Sequence, residues 1–106
     1  MSTRTDPGLP AGAVAAAEWA DVGHPRQFRL FNGRKRVVTW RDAESGTPGQ
    51  AELYVAGSQL ADGSLEGPRH VRISGVGWED AIPADAAREL ARAFAELAAE
   101  IEAVEK

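Results

Sequence analysis

Arg34, Lys35 and Arg36 stand in a row directly after Asn32-Gly33. Arg29, Arg41, Arg69 and Arg72 lie in stretches where polar and apolar residues alternate. Guanidinium groups that follow phosphates, set among rings that stack on bases, hold single-stranded nucleic acid on sheet surfaces. That chemistry asks for Arg29, Arg34, Lys35, Arg36 and Arg72 on one sheet face, with Tyr54, and Trp40 if the register allows, among them. The whole-chain balance points the other way. Net charge is −4 and the pI is near 5.1, whereas nucleic-acid domains are usually strongly basic. The charge is also uneven: residues 1–41 hold seven basic and three acidic side chains, residues 42–106 five basic and thirteen acidic. Such a split suits a local anion-binding patch or association of unlike faces.

Other chemistry finds less to work with. The chain has no Cys, hence no disulfide, thiolate nucleophile or Cys-based metal site. Its two His, His24 in a Gly-His-Pro turn and His70 beside Arg69, have no second ligand at metal spacing. Ser45, Ser58, Ser64 and Ser74 sit at turns or strand ends, none in a Gly-x-Ser-x-Gly elbow. Glu79-Asp80 precedes a helix and reads as a cap better than as a proton-sharing pair. Gly75-Val76-Gly77 lacks the further glycines and the Lys of a phosphate loop. The expectation is a non-enzymatic protein with no metal and no cofactor.

The element that must organise these residues is the C-terminal run from Pro83 to Lys106. Ala87, Leu90, Phe94, Leu97, Ile101 and Val104 recur at alternating steps of three and four, which places them on one stripe of a helix. Ala, Glu and Arg fill the positions between, all strong helix formers. Pro83 suits the first helical position and Asp85 the first turn, where a negative charge complements the dipole. Ile82 is a poor cap, and Asp80 would start the helix earlier. This stripe is the expected packing seam.

Upstream, four strand-like stretches precede the helix. Residues 1–12 read as a flexible tail and 13–106 as a single domain. Residues 13–22 are either one or two helical turns holding Trp19 or an irregular lead-in that docks Trp19 on a sheet edge. Asn32-Gly33 between "QFRLF" and "RKRVVTW" predicts a two-residue type I′ hairpin, with the register of Val37 and Val38 open. Asp42 to Gln50 is a loop by composition. "AELYVAGSQL" places Leu53 and Val55 on one face and Tyr54 on the other. Asp62-Gly63 offers a turn, and "HVRIS" puts Val71 and Ile73 opposite His70 and Arg72. Trp78 is expected to plug the core at the helix entry. Phe28, Leu30, Leu53, Val55, Val71 and Ile73 then form the face that meets the helix. The fold class is α+β: an antiparallel sheet of about four strands packed on one long C-terminal helix, a two-layer sandwich.

"VAGSQLADGSLEGPRHVRIS" followed by "IPADAARELARAFAELAAEIEAVE" resembles a group of short actinobacterial proteins of no assigned activity. Its members have a strand ending in a Gln-Leu-x-Asp-Gly turn, a strand of alternating basic and apolar residues, and a helix opening with Pro and "AREL". The likeness spans roughly residues 51–106, and Ile82 stands where the group carries Thr. It implies the fold and no chemistry. The Arg-over-Lys and Ala bias agrees with a GC-rich bacterial source.

No apolar run is long enough to span a membrane. The Ala/Gly-rich stretch after Arg4 is too weakly hydrophobic for a signal peptide, so the expected compartment is the cytoplasm. Two functions are expected in turn. The first is a small interaction module, open to self-association or an unidentified protein partner. The alternative is a nucleic-acid-binding accessory or regulatory protein using the basic sheet face.

Overall fold

The computed structural model describes residues 7–20 and 27–105, and the statements below concern these. The strands are β1 (Ala15–Ala16), β2 (Phe28–Asn32), β3 (Arg36–Arg41), β4 (Pro48–Leu60) and β5 (His70–Ser74), followed by helix α1 (Ala84–Val104). The class is α+β: one antiparallel five-stranded sheet with a single helix on one face.

The sheet is organised around β4, and the Asn32-Gly33 expectation fails here. β2 and β3 do not fold back on each other. Both pair with the same edge of β4, end to end, Phe28–Asn32 against Leu60–Ala56 and Arg36–Arg41 against Leu53–Pro48. The Gly33 N–H donates to the Val55 carbonyl, so the chain carries on alongside β4 instead of turning. Gly33 is also not among the glycines with positive φ, a conformation that the type I′ turn requires. Comparing the two registers, residues 33–35 face only two residues of β4, which makes this a bulge with one extra residue. The true hairpin turn lies at Asp42–Thr47, whose ends are joined by the Asp42 N–H to Thr47 carbonyl bond.

The extra residue switches the parity of the strand. Before it, Arg29 and Phe31 point to the helix side; after it, Arg36, Val38 and Trp40 do. Phe28 and Leu30 therefore lie on the face away from the helix, contrary to the expectation. Leu53, Val55, Val71 and Ile73 are on the helix side as expected. Two aromatic rings are seated across glycines of β4, Trp40 over Gly49 and Phe31 over Gly57. A Cβ at either glycine would run into the ring, so these positions supply the close approach that an aromatic needs to lie flat on a sheet.

On the helix, the buried residues are Ala86, Leu90, Ala93 and Leu97, with Ile101 and Val104 half-buried. They meet Val38, Trp40, Ala51, Leu53 and Val55 in one core. The expected seam is thus rotated: Ala87 is exposed and Phe94 is 39% exposed. The cause is the centring of α1 on β4, which turns the line through Ala86 and Ala93 inward, where small residues allow close approach. Pro83 is the cap residue, with extended φ/ψ and no side-chain capping bond, while in the first turn the Ala86 N–H bonds Asp85 Oδ1 at 2.9 Å.

Where α1 ends, the N-terminal segment continues the second layer. Residues 7–12, expected to be a tail, are docked. The Pro7 carbonyl accepts from Arg29 Nη2 and the Gly8 carbonyl from Gln59 Nε2, each at 2.9 Å. Gln59 is the one buried polar side chain of the core, 1% exposed, and its Oε1 accepts from Arg29 Nε at 2.8 Å. Buried amides are stable only when so satisfied. Residues 15–20 are neither helical turns nor an irregular lead-in: β1 and the Ala20–Phe28 bridge pair them antiparallel with β2, and half-buried Trp19 lies beside it with the Arg29 guanidinium 4.6 Å from its ring.

Candidate interaction surface

The residues expected to form a basic sheet face are divided between the two sides of the sheet. Arg29 is held under Trp19, Gln59 and Pro7. Arg36 reaches up to the helix, with Nε 3.2 Å from Glu96 and Nη2 2.5 Å from Glu100. Arg34 is exposed on the bulge. Lys35, Tyr54 and Arg72 do come together on the face away from the helix. Lys35 Nζ lies 5.5 Å from the Tyr54 ring and 3.6 Å from Glu52, and Arg72 is directly across from Tyr54 on β5. Glu52 sits inside this group, so no continuous cationic face results. The parity switch at the bulge is the reason: it turns Arg29 and Arg36 to the helix side from positions of opposite parity. His70 is exposed at the start of β5, and His24 lies outside the described residues. Among the described residues no group of three His, Asp or Glu side chains stands at metal-binding distance.

A surface that the sequence reading missed lies along β5. α1 rests on β3, β4 and β5. Glu96 and Glu100 identify which side of the helix overhangs β3, because both bond Arg36 at the start of that strand. At about 100° per residue, the opposite flank carries Ala87, Ala91, Phe94 and Ala98. All four are exposed, and this is the flank that overhangs β5.

Below it, the outer edge of β5 has no strand partner among the described residues. Ile73, on the helix face of that edge strand, is 43% exposed. β5 ends at Gly75, whose φ is +91° and where a Cβ would strike the Gln50 carbonyl. The chain then runs through exposed Val76 and Trp78. Trp78 is 96% exposed, not the core plug expected. The Gly77 N–H bonds Asp80 Oδ2 at 2.6 Å and the Asp80 N–H bonds the Gly77 carbonyl, which closes a tight turn with Trp78 at its tip.

An unpaired strand edge presents N–H and C=O groups ready to extend the sheet. Here it runs beside a helix flank with no charge from Ala87 to Ala98 on the side facing it. The strand edge, Ile73 and Phe94 are thus left exposed on the same flank of the molecule. The exposed Phe94 was legible as apolar in the sequence. Its placement was not, since the seam spacing alone put it inside.

No family model, curated protein or solved structure matches this chain.

Proposed function

We propose that the protein is a small non-enzymatic interaction module, acting in the cytoplasm as a homodimer joined along β5 and the overhanging flank of α1. The observation that carries this reading is the pairing of two exposed apolar side chains, Ile73 and Phe94, with an unpaired strand edge. A two-fold axis through Ile73 sets β5 antiparallel to its copy. It places Ile73 against Ile73 of the copy and Arg72 against Ser74. Centring on Arg72 instead would set two guanidinium groups face to face, which is unfavourable.

The same axis lays the helices antiparallel, three strand spacings or about 14 Å apart. Directly packed helices sit about 8–10 Å apart, so this gap has room for the Phe94 ring from each side above the alanines. Arg88, near the start of one helix, comes to lie toward Glu102 and Glu105 near the end of the other. The helix layer of this strip is about 30 Å long, and the five residues of β5 add about 17 Å of strand edge beneath it.

Light scattering at rising concentration tests this. The expected mass is twice 11.3 kDa, and Phe94→Asp or Ile73→Lys should weaken the dimer by at least about tenfold while the monomer keeps its fold. A protein that stays monomeric at roughly millimolar concentration sinks the dimer.

A further inference from the structure

We propose that the cavity at the C-terminal end of α1 binds a small apolar acid, an aryl or short acyl carboxylate whose anion sits on Arg69. The cavity has a volume of about 210 Å³, and Gly12, Phe31, Val55, Ile101 and Val104 are among the residues that line it. It arises where the helix stops and the N-terminal segment takes over the second layer: Gly12 comes close to Val104 on one side and Gly33 on the other. The lining is almost wholly apolar, and its charged members are Arg69 and Glu100.

These two charges are in different states. Glu100 is bonded to Arg36 Nη2. The Arg69 guanidinium stands 6.0 Å from the Phe31 ring, and its Nη2 makes a 3.3 Å bond to the Ala11 carbonyl. Its Nε is shielded from solvent with no hydrogen-bond partner, and no ion pair among the described residues involves Arg69. A shielded, unpartnered donor on a cation is costly, and a carboxylate is the acceptor that relieves it best.

Size sets the rest of the ligand. An apolar cavity of about 150 Å³ is enough for benzene, so a benzene ring or a chain of comparable size fits here beside its carboxylate. Because the cavity opens to solvent at its rim, such a ligand can enter without unfolding the helix end.

The test is a titration of the intact protein with benzoate and with octanoate, followed by amide NMR shifts. The expected result is saturable shifts at Gly12, Gly33 and Ala103, with benzyl alcohol and octanol binding at least about tenfold more weakly, as loss of a charge-assisted bond implies. Arg69→Gln should weaken the acids by a similar factor, and Ala103→Phe, which fills the cavity from the helix surface, should abolish the shifts. No saturation by either acid up to roughly 10 mM overturns the proposal; so does binding that Arg69→Gln leaves unchanged, or shifts that map elsewhere. The site is separate from the proposed dimer strip, so the same titration on Phe94→Asp keeps the two readings apart: its acid affinity should match that of the parent chain.

Discussion

The two flanks of α1 rest on the same sheet but meet solvent in opposite ways. Over β3, Glu96 and Glu100 reach down to Arg36, and charged groups close the seam. Over β5, Ala87, Ala91, Phe94 and Ala98 are all exposed, and Ile73 is exposed on the strand beneath them. A flank finished with ion pairs gains little from further burial, because its exposed carboxylates are already solvated. A flank finished with Phe and Ile gains roughly 25 cal/mol for each Å² of apolar surface that a second surface removes from water. The helix thus has one flank closed by ion pairs and one that leaves apolar surface exposed, the flank that the proposed dimer would cover.

The largest effect is expected from the residue that lies beneath both flanks. Leu97 is fully buried, and Leu97→Ala should cost about 2–5 kcal/mol of unfolding free energy in denaturant titrations. Phe94→Ala, on the open flank, should leave the monomer nearly as stable and act on dimer affinity instead. If Phe94→Ala cost the monomer as much as Leu97→Ala, the two flanks would not differ as described.

A smaller effect is expected on the closed flank. The partners of Arg36 are largely solvent-exposed, and its Nη1 is buried without a partner. Arg36→Gln should therefore cost less than about 1 kcal/mol, and high salt should erase most of the difference. A cost that persisted in strong salt would mean that Arg36 acts through packing of its stem.

The smallest effect belongs to Asp42, which ties the hairpin turn to the chain entering the helix. Its Oδ1 accepts from the Glu44 and Ser45 N–H groups and its Oδ2 from the Ala81 N–H. The Ser45 amide first, then those of Ala81 and Glu44, lower its pKa from 3.8 to about 2. A carboxyl held below its unfolded pKa adds stability above that value and loses it as pH falls through the folded one. The gap in thermal midpoint between the parent chain and Asp42→Ala should thus be widest near neutral pH and narrow between 3.8 and about 2. A gap that stayed constant through that window would assign the role of Asp42 to something other than its charge.

The sequence reading located the helix to within a residue or two, because a stripe of apolar side chains at helical spacing among alanines is a local signal. It also assigned the faces of β4 and β5 correctly, since Leu53, Tyr54, Val55, Val71, Arg72 and Ile73 alternate without interruption. It missed the candidate strip for a definite reason. Ala87 and Phe94 lie three residues before Leu90 and Leu97, Ala86 and Ala93 four before them; both spacings make neighbours on a helix, and only the sheet beneath selects between the two lines.

The periodic features were legible in the amino-acid order: the helix and the alternating stretches of β2 to β5, though not β1 or the Pro48–Gln50 start of β4, which was read as loop. What only the tertiary structure decided was relational. Asn32-Gly33 is a chemical invitation to turn, but the Val55 carbonyl of β4 takes the Gly33 N–H and the chain runs on, with one residue bulged. That single extra residue reverses strand parity, sends Arg29 and Arg36 to the helix side and leaves Lys35 and Arg72 on the other. Faces are fixed by register, and register is set by pairing with β4, a partner distant in the chain.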